Sequence, residues 1–191
     1  MSRTTCGFAR ALVLAAGALA GACGGPAPAD GTTPAGDTTA ADPAAITEAQ
    51  YDAYMDQAGL AFAEGRTQDA LDAYLSAADV YDKTNEIIIE RAEAHFLAAD
   101  LAYQRMQKDL ALEEYQKSID IYLRFSGNSK IKAAVALTNM GVIYKEKTMK
   151  DKARNCWETA LQLYKEAPKE LQNSENMEKI EQNLRDLESG F

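Results

Sequence analysis

Few residues in this chain have chemistry within reach, and they are scattered. His95 is the single histidine. No cluster of imidazoles can hold a metal, and nothing in the sequence supports a catalytic triad around it. It reads as a helix-surface or packing residue. Cys6, Cys23 and Cys156 are the only cysteines, and their spacing suits neither a disulfide framework nor a metal knuckle. Cys156 abuts the packing residue Trp157 and reads as a buried, inert thiol. Glu113 and Glu114 are adjacent acids in a helical pattern, which reads as a solvated face before it reads as an acid/base pair. There is no glycine-rich phosphate loop and no dinucleotide fingerprint. The expectation is a protein without catalysis, metal or cofactor.

The elements around these residues read as helices. Of 191 residues, 47% are apolar, enough for a packed core. Ala, Leu, Tyr, Glu, Lys and Gln dominate the second half, a mix that favours helix. The five prolines are Pro26, Pro28, Pro34, Pro43 and Pro168, so residues 44–167 contain none, as long stacked helices require. The net charge of −9 disfavours nucleic-acid binding, because an acidic chain repels phosphate.

The first 46 residues read as address and tether. Arg3 and Arg10 precede an uncharged stretch, Ala11 to Ala22, with small residues before Cys23. That is the form of a secretory signal over residues 1–22, too short and too rich in Ala and Gly for a stable spanning helix. Ala20-Gly21-Ala22-Cys23 resembles the lipobox of bacterial lipoproteins, although Leu19 sits one place early. The resemblance implies that Cys23 is lipidated and anchors the chain to a membrane; the alternative is plain secretion after cleavage at Ala20 or Ala22. Residues 24–45 carry no large apolar side chain and read as a flexible linker. Such a coil spans about 25 Å on average and about 70 Å at full stretch.

Three downstream segments align without gaps. They run Ala70-Leu-Asp-Ala-Tyr74-Leu-Ser-Ala77 to Tyr81, Ala111-Leu-Glu-Glu-Tyr115-Gln-Lys-Ser118 to Tyr122, and Ala153-Arg-Asn-Cys-Trp157-Glu-Thr-Ala160 to Tyr164, at periods of 41 and then 42 residues. A small residue, an aromatic four later and a small residue three after that share one helical face, where a neighbouring helix can approach closely beside the ring. A second helix pattern precedes each segment: Ala58, Leu60 and Phe62; Ala98-Ala99 and Tyr103; Leu137, Met140, Gly141 and Tyr144. Gly65 and Gly127 read as chain breaks. Ile87-Ile88-Ile89 reads as the buried start of a long helix. Thr47-Glu48-Ala49-Gln50 has the form of a capping box that starts the first helix. Residues 174–188 form one more helix, capped by Ser174 and ended by Gly190, which covers the last repeat.

This pattern resembles the tetratricopeptide repeat (TPR), most closely in the third copy. The long period is similar to the extended variant of kinesin light chains, with Met106 in place of the usual inter-helix glycine. The resemblance implies an all-α fold: an α-solenoid of three helix pairs, about 47–84, 85–126 and 129–167, with a C-terminal capping helix, in a domain spanning 47–191.

TPR geometry assigns a concave, partner-binding wall to the first helix of each pair. It would carry Asp52, Met55, Asp56 and Gly59; Glu93, Phe96, Leu97 and Asp100; and Val135, Thr138, Asn139 and Val142. Phe96 and Leu97 either form an apolar anchor there or pack on the next helix. The resemblance implies that Asn139 hydrogen-bonds a bound peptide's backbone. The Lys/Asn/Arg clamp of chaperone-tail binders is absent: its places hold Met55, Gly59, Leu97, Val135 and Asn139. Charge is segregated, with eight acids and two bases in residues 46–84 against four acids and eight bases in 127–166. The basic stretch Lys145, Lys147, Lys150, Lys152 and Arg154 is a candidate contact for an acidic partner. The expected function is an envelope-tethered scaffold that binds a protein or peptide, on the periplasmic side of an outer membrane in preference to the cell surface. The alternative is a periplasmic ligand-binding accessory of a transporter.

Overall fold

The computed structural model describes residues 43–83 and 88–189. The signal, Cys6, Cys23 and most of the linker lie outside them, as do Ile87 and Gly190. Seven α-helices occur among the described residues: α1 (Pro43–Ala63), α2 (Thr67–Asp82), α3 (Ile89–Gln104), α4 (Lys108–Tyr122), α5 (Asn128–Glu146), α6 (Lys150–Glu166) and α7 (Ser174–Glu188). One 3-10 turn, Lys169–Leu171, precedes α7. The helices pack as hairpins α1/α2, α3/α4 and α5/α6. Each hairpin stacks on the next through α2 on α3 and α4 on α5, and α7 lies on α6. This is an α-solenoid, and its first helices, α1, α3 and α5, form one wall.

Small residues permit the stacking. Ala58, Ala61, Ala70, Ala98, Ala99, Ala102, Ala111, Ala153 and Ala160 are sealed from solvent. Tyr115 and Trp157 fill the gaps between them. Tyr81, Tyr122 and Tyr164 recur at the ends of the second helices and are all buried. Burying rings of this size supplies much of the apolar driving force of each repeat.

Each hairpin turns in the same way. Gly65, Met106 and Thr148 occupy one repeat position, with φ of +77°, +63° and +60°. The next residue's N–H reaches back five residues each time: Arg66 to Ala61 and Gln107 to Ala102 at 2.8 Å, and Met149 to Tyr144 at 2.9 Å. This is the Schellman closure, which satisfies carbonyls that a helix end leaves open. Only the first copy meets the left-handed requirement with glycine.

The helix starts differ from expectation. Helix α1 begins at Pro43, so the Thr47–Gln50 box lies inside it and does not start it, and the last linker residues already belong to the helix. Proline suits the first helical position, where no N–H is required. Helix α7 is capped by Asn173, whose side chain accepts from the Asn176 N–H at 3.0 Å, and Ser174 is its first residue. Helix α3 begins only at Ile89. Ile88 precedes it in extended conformation (φ −124°, ψ 157°), and both isoleucines are half-buried.

Packing in the first two copies also differs. In α1, Ala58 is buried as the pattern expects, but Leu60 and Phe62 are exposed, and Ala61 and Tyr51 are the other inward residues. In α3, Ala98 and Ala99 are buried as the pattern expects, but Ala102 and not Tyr103 takes the next inward place; Tyr103 is half-buried and its OH donates to Glu146 Oε1 at 2.7 Å. Glu114 is not solvated. It is 2% exposed and faces His95, also 2% exposed, with His95 Nδ1 2.6 Å from Glu114 Oε2. Asp82 Oδ1 approaches His95 Nε2 at 3.5 Å and pairs with Arg91, while Lys117 holds the other Glu114 oxygen at 2.8 Å. Burial pushes the Glu114 carboxyl up, but the hydrogen bonds from His95 and Lys117 prevail and hold it below the ordinary value. The pair ties α3 to α4, and Asp82 brings in the end of α2.

Candidate partner-binding wall

The wall has two characters. On α1, Asp52, Asp56 and Gly59 are exposed. Met55 is half-buried and packs with Tyr51, Tyr81 and Ala94. Tyr51 fixes α1 to α3: its OH donates to the Glu90 carbonyl at 3.0 Å, and its ring lies 5.1 Å from that of Tyr81.

Between α3 and α5 the surface turns apolar. Glu93, Phe96 and Leu97 face Lys132 and Val135, with Tyr122 of α4 behind, around a cavity of about 170 Å³. Phe96 lines this cavity and packs edge-on against Tyr115 of the next helix, ring centres 5.7 Å apart. Leu97 lines the cavity. Lys132 spans the rim, 3.1 Å from Glu93 and 5.6 Å above the Tyr122 ring. Lys132 and Tyr122 were not foreseen as wall residues. The helical period that places Val135 on the wall also places Lys132, three residues earlier, on the same face.

One turn along, three helices meet in a hydrogen-bonded triangle. The Tyr115 OH donates to Asp100 Oδ1, and the Asn139 amide donates to Asp100 Oδ1 at 3.3 Å and to the Tyr115 oxygen at 3.1 Å. Burial pushes the Asp100 carboxyl above its ordinary value against the pull of Tyr115 and Asn139. Burial also pushes the Tyr115 phenol up, with the Asp100 contact adding to it. The Asn139 nitrogen is thus committed within the protein, and its amide oxygen is the atom left to accept from a guest.

Thr138 is committed to structure: its hydroxyl donates to the Ala134 carbonyl at 2.8 Å, and its own carbonyl accepts from Trp157 Nε1 at 3.1 Å. Val142 is half-buried against the core. Of the expected wall residues, Asp52 and Asp56 are thus exposed, Phe96, Leu97 and Val135 line the cavity, and Asn139 joins the triangle beside it.

The basic stretch surrounds the α5–α6 turn, and part of its charge is engaged. Lys147 pairs with Asp109 of α4, and Lys152 lies 5.4 Å above the Tyr144 ring. Lys150 is exposed, and Lys145 and Arg154 are half-buried. Cys156 is half-buried on α6; burial pushes its thiol up to about 11, against a smaller opposing pull from Lys152. A thiol so placed is a poor nucleophile near neutral pH. Among the described residues no group of three or more His, Cys, Asp or Glu is placed to hold a metal, and no helix is long and apolar enough to cross a membrane.

Stacked helix pairs with one lined wall define a TPR-like helical-repeat scaffold, an architecture typical of protein–protein interaction. Residues 45–188 match the family described as soluble NSF attachment protein, SNAP, and the chain belongs to that family. Among solved structures it is similar to BtubC (BKLC) from P. vanneervenii, with a TM-score of 0.65 and 19% identity over 80% of this chain. The matched part is 59% of that structure's length. MamA protein aligns over 72% of this chain and 90% of its own at 16% identity, with a TM-score of only 0.32. No curated protein sequence matches the chain.

Proposed function

We propose that this protein is a membrane-tethered scaffold of the bacterial envelope whose α1/α3/α5 wall holds a segment of a protein partner. The observation that carries the reading is the α3–α5 face. Its apolar cavity of about 170 Å³ is flanked by an amide aligned at Asn139. A cavity of that size suits one anchoring side chain, whereas sites for small molecules occupy about 300–1,000 Å³. An aligned amide oxygen suits the N–H groups of an extended guest. At this face the size of the cavity and the helical-repeat scaffold support a protein partner over the ligand-binding accessory of a transporter. The tether rests on the sequence before Pro43, where a lipidated Cys23 would hold the domain at a bilayer.

Two measurements test the two halves. The intact mass of protein from native membranes should show acyl chains on Cys23; an unacylated mature N-terminus removes the tether. Crosslinked pull-down from the same membranes should recover a protein that is lost with Phe96→Ala or Asn139→Leu. Recovery unaffected by both changes removes the wall as the site.

A further inference from the structure

Successive repeats place different chemistry at the same wall positions. The 41- and 42-residue periods relate Asp52 to Glu93 and Val135, and Asp56 to Leu97 and Asn139. The wall thus passes from acidic on α1 to apolar and polar-neutral on α5. Helix α1 contains no lysine or arginine, and Glu48, Asp52 and Asp56 stand at i, i+4 and i+8 on one face, all exposed. Glu93 at the cavity rim is neutralised by Lys132 at 3.1 Å. Asp100 is engaged by Tyr115 and Asn139 within the fold, so the exposed acids at wall positions of the described residues are those of α1.

We infer that the guest is a basic peptide segment of the partner carrying one large apolar side chain. That side chain fills the cavity of Phe96, Leu97 and Val135, and the flanking cations lie along Asp52 and Asp56. The inference rests on the scaffold reading and adds the chemistry of the partner. The acids lie one repeat away from the cavity along the wall, and the test peptide spaces cation and anchor by about three residues of extended chain, about 10 Å. Attraction to the acids steers the encounter, and the buried side chain supplies most of the residence time.

The test is fluorescence anisotropy of the full chain with a labelled nonapeptide, Lys-Lys-Ser-Ser-Leu-Ser-Ser-Lys-Lys, and two relatives. One has glutamate for every lysine, the other serine for leucine. The parent peptide should bind at least about tenfold more tightly than either, and the advantage over the glutamate peptide should shrink between about 0.05 and 0.5 M salt. The double change Asp52→Asn with Asp56→Asn should abolish the preference for lysine over glutamate while leaving helical circular dichroism intact. Leu97→Ala should abolish the preference for leucine over serine.

Equal or tighter binding of the glutamate peptide overturns the inference, as does an unchanged lysine preference in the Asp52/Asp56 variant, or no binding of any peptide. So does self-association of the chain that the Asp52/Asp56 change abolishes, since a second copy would then occupy the acids. If the peptides fail while pull-down still yields a partner dependent on Phe96, the scaffold stands and only the basic-peptide inference falls. If no wall-dependent partner is recovered either, both fall.

Discussion

The indole of Trp157 occupies the space that a side chain on Gly141 would need. A Cβ at Gly141 would fall on Trp157 Nε1 and lie 2.7 Å from Cε2, and the same nitrogen donates to the Thr138 carbonyl at 3.1 Å. Trp157 is fully buried, so it has nowhere to retreat. Glycine to alanine within a helix ordinarily stabilises by about 0.5–1 kcal/mol. At Gly141 the sign should reverse, with Gly141→Ala costing about 2 kcal/mol through overpacking. Gly59 has nothing within 4 Å of an added Cβ, so Gly59→Ala should stabilise by about 0.5–1 kcal/mol. Urea unfolding followed by the single tryptophan measures both. Changes of the same sign would contradict this packing.

The left-handed turn residues give a second expectation. Met106 and Thr148 adopt the conformation that Gly65 adopts in the first hairpin. For a residue with a Cβ this costs about 1–2 kcal/mol, and a β-branched residue such as threonine fits it poorly. Met106→Gly and Thr148→Gly should each stabilise the fold by up to about 1 kcal/mol, part of the gain being offset by glycine's greater freedom when unfolded. Met106 is 72% exposed, so its substitution removes little packing. Thermal unfolding midpoints that fall on these changes would contradict it.

The buried His95–Glu114 pair gives stability a pH dependence. The Glu114 carboxyl is held below its ordinary 4.5 in the folded chain. Its contribution is therefore complete above about pH 4.5 and is lost as pH falls through the lower folded value. Asp100 acts in the opposite sense: burial raises its folded value above 3.8, so it costs stability as pH rises through that value. Glu114→Gln removes only the first effect. Unfolding free energies between pH 3 and 7 should fall less steeply toward acid in this variant than in the wild type. Glu114→Ala, which leaves the buried Nδ1 of His95 without its hydrogen-bond partner, should cost about 2 kcal/mol. Parallel pH profiles for wild type and Glu114→Gln would show that the pair is not what responds.

The repeat architecture was legible because its cause is local and periodic. Ala153, Trp157 and Ala160 announce a close helix approach through size alone, and all three are fully buried. In α1 the reading held at Ala58 but not at Leu60 and Phe62, which drew attention by hydrophobicity while the next inward position belongs to Ala61. Small residues carry the register in a solenoid, and large apolar ones can face solvent. Glu114 was misread because a charged residue seldom occupies a core position without a partner. Its partner, His95, lies 19 residues away on another helix. Placing both on their helices' buried faces, with Ala92 and Ala99 beside His95 and Ala111 and Ser118 beside Glu114, would have paired them. The Asp100–Tyr115–Asn139 triangle joins three helices, and no spacing within one helix signals it.

The central claim is that the α3–α5 wall, and not the outer helices, receives the partner. A photocrosslinking amino acid at Leu97, compared in native membranes with one at exposed Glu158 on α6, tests it most directly. The account predicts a discrete protein adduct from position 97 and none from position 158. An adduct from 158 alone, or none from 97, would contradict it.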